Sequence, residues 1–157
     1  MIDAIDRAIL QILQKEGRIT NAELAQRVGL SPGPTLTRVH KLEDAGYILG
    51  YCAQLDRDSL GLPVTAFVSV ICKNHGLTES EEFFKAAEAM PEVMEVHHIA
   101  GEEDYLLKVV AASPADYERF VLEKLTAIDV VQRVKTTFVL STRKSTTAIP
   151  VRKEQEE

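Results

Sequence analysis

The chain has 157 residues, 45% hydrophobic and 27% charged, with a formal net charge of −6. That is the composition of a soluble folded protein of one domain or two small ones, and it excludes a long disordered or low-complexity chain. No stretch approaches the ~18 consecutive apolar residues that a membrane-spanning helix needs.

The start, MIDAIDRAILQILQKEG, has Asp3 and Asp6 flanking its apolar residues rather than a basic segment before an unbroken apolar run. It is therefore not read as a secretory signal, and a cytoplasmic protein is expected. Ile5, Ile9, Ile12 and Leu13 follow the i, i+4, i+7, i+8 spacing of an amphipathic helix, with Gly17 where its C-terminal cap would fall.

Thr20 and Glu23 match a capping box, in which each side chain satisfies a backbone N–H at the start of a helix. Leu24, Ala25 and Val28 then recur at helical spacing, so a short helix runs from about Asn21 to Val28. Gly29 can take the left-handed conformation that ends it. Ser31-Pro32 reads as the N-cap and first residue of a second helix. On that helix Thr35, Leu36, Val39, Leu42 and Glu43 cluster on one side, while Gly33, Pro34, Thr37, Lys41 and, at the edge, Arg38 face the other way.

The outward face is small, hydroxylated and basic. Arg27 to Leu42 contains Arg27, Arg38, His40 and Lys41 and no acidic residue. Short side chains near a helix N-terminus can enter a major groove, Thr and Arg reach base edges, and Lys or Arg neutralise phosphates. A two-helix corner with a solvated basic face is the plainer alternative. The charge distribution favours nucleic acid: residues 1–50 hold six Lys/Arg against six Asp/Glu, so the whole acidic excess falls on residues 51–157. So few cations on a monomer predict weak binding, which argues for a dimer or larger assembly.

Tyr47 to Leu55 reads as extended, and Asp56 to Pro63 as a connection. Thereafter the order is strand, helix, strand, strand, helix, strand. Pro63 to Lys73 is β-branched and apolar. Thr78 and Glu81 suggest another capping box before Phe83, Phe84, Ala87 and Met90. Glu92 to Ala100 and Asp104 to Ala111 are strands separated by Gly101-Glu102-Glu103. Ser113-Pro114 with Asp116 starts a helix carrying Tyr117, Phe120, Val121 and Leu125. Val130 to Thr142 is the last strand, with Val130, Val134, Phe138 and Leu140 on one face and Arg133, Lys135 and Thr137 on the other.

The expected architecture is α+β: a three-helix, helix-turn-helix (winged-helix-like) domain over residues 1–55, a linker over 56–62, a ferredoxin-like βαββαβ sandwich over 63–142, and a tail over 143–157 that frays at its end. The sheet face without helices would show Phe67 and Ile71, or alternatively Val68 and Val70, and dimerisation is the simplest cover. Cys52 and Cys72 lie in apparent strands without C-x-x-C spacing and are read as buried free thiols, with no disulfide or metal site.

Both halves together resemble the Lrp/AsnC (leucine-responsive, feast/famine) transcription regulators of bacteria and archaea. The resemblance rests on IDAIDRAILQILQKEGRITNAELAQRVGLSPGPTLTRVHKLEDAGYILGYCAQLD, on GEEDYLLKV and on TTFVLSTRKSTTAIP, in the family's order. It implies a transcriptional regulator that binds double-stranded DNA, senses a small effector, commonly an amino acid, and assembles as dimers into tetramers or octamers. Carried over by position, the DNA-binding residues are Ser31, Pro34, Thr37, Arg38 and Lys41. The effector loop contributes Gly101, Glu103, Asp104 and Tyr105, with effector bound between dimers. Asp104 can meet an ammonium group and the backbone around Gly101 a carboxylate; a hairpin whose carboxylates face water is the alternative. The sequence departs from the family pattern at Gly33, Ala100 and Glu103.

An enzyme is not expected. His97 and His98 are adjacent in a strand and point to opposite faces. No H-x-x-x-H, nucleophile elbow or Gly-rich phosphate loop occurs, and Glu102, Glu103 and Asp104 lack the spacing of a calcium loop. No cofactor is expected beyond the effector. An architectural DNA-binding protein that needs no effector is the competing reading.

Overall fold

In the computed structural model, residues 2–73 and 76–151 are described. The chain divides into two compact units, Met1–Gln54 with Lys144–Glu157 and Leu55–Arg143.

The first unit is built on helices α1 (Ala4–Leu13), α2 (Asn21–Val28) and α3 (Pro32–Asp44). Ile9, Leu10, Leu24, Val39 and Leu42 form its core, with Ile5, Ile12, Leu13 and Val28 against them. Asp3 and Asp6 form a reciprocal capping box at the start of α1, which the sequence reading passed over. Its C-cap is Gln14 rather than Gly17. The Thr20–Glu23 box is present, and Gly29 takes φ +71°, a left-handed turn that a Cβ would strain. The Tyr47–Leu55 segment, expected to be extended, forms no strand among the described residues. Residues Lys144 to Val151 belong to this unit: the Ile149 amide donates to Gln14 Oε1 at 2.6 Å, and Val151 packs on the core. The expected fraying of Lys153–Glu157 lies outside the described residues.

The second unit is a four-stranded antiparallel sheet in the order β2-β3-β1-β4. Its elements are β1 (Val64–Cys72), α4 (Leu77–Glu88), β2 (Val93–His98), β3 (Tyr105–Ala111), α5 (Pro114–Phe120) continuing into a π turn (Val121–Leu125), and β4 (Val131–Phe138). This is the βαββαβ sandwich. Ala66, Val68 and Val70 of β1 and Leu107 and Val109 of β3 are fully buried against Phe83, Ala87, Tyr117, Phe120 and Leu125 of the helical layer. The period of two therefore leaves Phe67, Ser69 and Ile71 on the uncovered face, in register with Thr137, Lys135 and Arg133 of β4. Phe67 stays 39% exposed there.

Three local expectations are corrected. Helix α4 starts two residues early, with Gly76 as N-cap and no side-chain capping bond, so Thr78 and Glu81 do not form a box. Cys52 is exposed and outside any strand, whereas Cys72 is buried; both are free. Leu140 lies past the end of β4 and is exposed, because the ladder stops at Phe138.

Candidate DNA-reading helix and effector loop

Helix α3 follows α2 after a three-residue turn. Gly29 closes α2, and the Leu30 amide bonds back to Ala25 O at 2.9 Å. The Asn21 side-chain amide then bonds Pro32 O at 2.8 Å, fixing where α3 begins. Thr35, Val39 and Leu42 are its buried residues. Leu36, expected inward, is 44% exposed. The buried stripe centres on Thr35 and Val39, and one residue further on a helix is a turn of about 100°.

Ser31 is the N-cap by backbone conformation, yet its hydroxyl makes no capping bond. Part of the cause is local: an N-cap side chain bonds the N–H of the second or third helical residue, and the third is Pro34, which has none. Pro32 and Pro34 together leave Gly33 as the one N–H donor among the first three helical positions. The Ser31 hydroxyl is thus exposed at the helix entrance. Thr35 Oγ1 bonds back to Ser31 O at 2.9 Å, and Thr37 Oγ1 to Gly33 O at 3.2 Å.

The structure brings Pro34, Thr37, Arg38 and Lys41 together along one groove of about 650 Å³ that also contains Asp3 and Asp6. Pro34, Thr37 and Lys41 are exposed, and Lys41 has no ion pair among the described residues. Arg38 differs from the expectation. Its Nη1 lies 2.7 Å from Asp3 Oδ2 and 2.6 Å from Asp6 Oδ1. The Asp6 hydrogen bond, followed by that of Asp3, stabilises the charged guanidinium further. The Asp6 amide, followed by Arg38, holds the Asp3 carboxyl below its ordinary pKa. Arg27 is likewise paired, with Glu16 at 2.6 Å.

The four effector-loop residues do not converge within one chain. Asp104 Oδ2 accepts the Cys72 amide at 2.8 Å, while the Asp104 amide bonds Val70 O at 3.0 Å. Asp104 thereby closes the β1–β3 ladder where β1 shifts register toward β4. Tyr105 is buried: its ring stacks on Phe83 at 4.4 Å and its hydroxyl donates to Ser80 Oγ at 2.7 Å. Asp104 and Tyr105 line a cavity of about 90 Å³ with Cys72, Ser80, Leu77 and His98. Glu103 instead reaches Lys135 Nζ at 3.4 Å, and Gly101 stands in open space. Ser80 and His98 were missed by the sequence reading; their positions beside the loop depend on pairings across 25 residues and across the β2–β3 hairpin. Burial, then Asp104, pushes the Cys72 thiol pKa up.

His97 pairs with Glu95 at 3.2 Å, and His98 sits 5.1 Å from the Tyr105 ring. No group of three metal-ligating side chains occurs among the described residues, and no helix there is long and apolar enough to cross a membrane.

Comparison with known proteins covers both units. Residues 65–149 match the Lrp/AsnC ligand binding domain, and residues 2–48 match a winged helix-turn-helix DNA-binding domain. The chain is 45% identical to a leucine-responsive regulatory protein of Rhizobium meliloti over 86% of each chain. It is 36% identical to that of Escherichia coli, over 96% of this chain and 92% of the other. Among solved structures, a transcriptional regulator from Neisseria meningitidis in complex with L-Met superposes with a TM-score of 0.92 at 39% identity, covering 96% of this chain and 97% of that one. AsnC of E. coli does so at 0.87 and 30%, over 96% and 99%.

Proposed function

Because the chain belongs to the Lrp/AsnC family of DNA-binding transcriptional regulators, we propose that α3 reads an operator and that a small effector, an amino acid, changes how the chain assembles on it. The observation that supports the first part is the outward face of α3. Ser31, Pro34, Thr37 and Lys41 fall on one exposed stripe while Thr35, Val39 and Leu42 are buried opposite. Thr37 reaches base edges and Lys41 a phosphate. The Ser31 hydroxyl, which makes no capping bond, is available to a phosphate at the helix entrance.

Two such helices in a dimer address successive major grooves about 34 Å apart. The effector, in this proposal, sits near Asp104 at a seam between dimers. A cavity of about 90 Å³ in one chain, lined by neither Gly101 nor Glu103, makes an intermolecular site the natural completion. The relative from N. meningitidis, solved with L-Met, supports an amino acid as the effector class. The effector's leverage equals its affinity difference between the assemblies it distinguishes.

Titration of the full chain with each of the twenty amino acids, with oligomer size followed by light scattering, tests this. Heat and a size change with at least one amino acid are expected. Their complete absence, with DNA binding intact, would favour an architectural protein that needs no effector.

A further inference from the structure

Arg38 carries a positive charge on the flank of α3 proposed to face DNA, yet its guanidinium is engaged by two carboxylates of the same groove. One guanidinium nitrogen lies within 2.7 Å of Asp3 and 2.6 Å of Asp6. These are the same two residues that cap each other's backbone at the start of α1, Asp3 Oδ1 accepting the Asp6 amide at 2.8 Å and Asp6 Oδ2 the Asp3 amide at 3.1 Å. Each carboxylate therefore uses one oxygen on its own helix and the other on α3. We infer that Arg38 is a positioning residue: it fixes the recognition helix against the capped N-terminus of α1 rather than contacting DNA. The inference rests on the DNA-binding reading above.

Electrostatics supports this assignment. A phosphate approaching Arg38 meets one positive and two negative charges within a few ångströms, so the guanidinium's attraction for it is offset. With Arg38 and Lys41 opposed by Asp3 and Asp6, the groove's four charged side chains sum to zero. Phosphate attraction on this flank falls to Lys41. The ion pairs also tie together elements that the sequence separates by 32 to 35 residues. Rotation of α3 about its axis would break them, so the triad reinforces the orientation, set by the buried Thr35, Val39 and Leu42, that carries Thr37 and Lys41 outward.

The test compares charge-neutral variants on a duplex obtained by in vitro selection against the full chain. Asp3→Asn with Asp6→Asn keeps amide oxygens for the caps and removes two negative charges from the DNA-facing side. A phosphate-contacting Arg38, freed from its clamp, would then bind tighter; a positioning Arg38 gives weaker binding, by about tenfold at fixed salt. Arg38→Gln should weaken binding similarly while leaving the slope of log K against log salt unchanged, since a lost phosphate contact lowers that slope by about 0.9. Tighter binding by the double Asn variant, or a slope reduced by one contact in Arg38→Gln, overturns the inference. Failure of the unmodified chain to bind any duplex would defeat the DNA-binding reading itself, and this inference with it.

Discussion

Asp104 and the Cys72 backbone are joined by a 2.8 Å hydrogen bond that finishes the β1–β3 ladder, so the residue proposed for effector recognition also stabilises the end of the two central strands. The two duties separate by chemistry. Asp104→Ala removes the acceptor for the Cys72 amide and should lower the stability of the second unit by about 1–3 kcal/mol. Asp104→Asn keeps an acceptor and loses the charge. It should retain most of the stability while losing the amino-acid response, as read by thermal unfolding with and without amino acids. An Asn variant that responds like the unmodified chain would remove Asp104 from the effector site.

The two thiols differ in burial and should differ in chemistry. Cys52 is exposed, whereas Cys72 is buried and its pKa is raised by burial and by Asp104. The reactive species is the thiolate. A thiol reagent at neutral pH should therefore label Cys52 rapidly and Cys72 only on unfolding. Equal rates in the folded protein would contradict the packing of the β1 end.

The core substitutions should act on their own units. Leu24 packs among Ile9, Val39 and Leu42, and Leu24→Ala should cost about 2–5 kcal/mol there. Phe83, fully buried on Tyr105, should cost about 3–5 kcal/mol as Phe83→Ala. Hydrogen exchange distinguishes them. Leu24→Ala should deprotect α2 and α3 and leave β1 and β3 protected, and Phe83→Ala should do the reverse.

Acid should loosen the first unit. The Asp3 carboxyl is held below its ordinary value by the Asp6 amide and then Arg38, and Glu23 by the Thr20 hydroxyl and amide. A depressed folded pKa means that the unfolded chain binds the proton more readily, so this stabilisation is present above about pH 4 and is lost as pH falls through the folded values. The α1 and α2 helical signals should weaken in that window. Asp3→Asn should flatten part of that pH dependence, and an unchanged profile would contradict the assignment.

Local chemistry was the legible part of this chain. Thr20 with Glu23 and the left-handed Gly29 were readable because capping and turn geometry depend on residues three or four apart. The ββ hairpin and the order of strands and helices followed from hydrophobic period. What escaped depended on distant partners or on competing local rules. Gly76 outcompeted Thr78 as N-cap of α4. Pro34 removed one of the two N–H groups that Ser31 could have capped. Arg38 resembled a free cation because Asp3 and Asp6 lie more than thirty residues away. Phe67 and Val68 could not be assigned to faces until the helices chose the Val68 side. At the effector loop the residue types were readable. Their divergence was not, since Glu103 follows Lys135 on β4 while Tyr105 follows Phe83 on α4.

Whether the exposed stripe of α3 reads DNA is decided by selecting duplexes from a random library with the full chain, then comparing Thr37→Ala and Lys41→Ala on the winner. An enriched pair of half-sites about one helical turn apart is expected. Thr37→Ala should alter base preference, and Lys41→Ala should lower the salt slope by about 0.9 per contact. No enriched sequence, or both variants binding like the unmodified chain at every salt concentration, would contradict that reading.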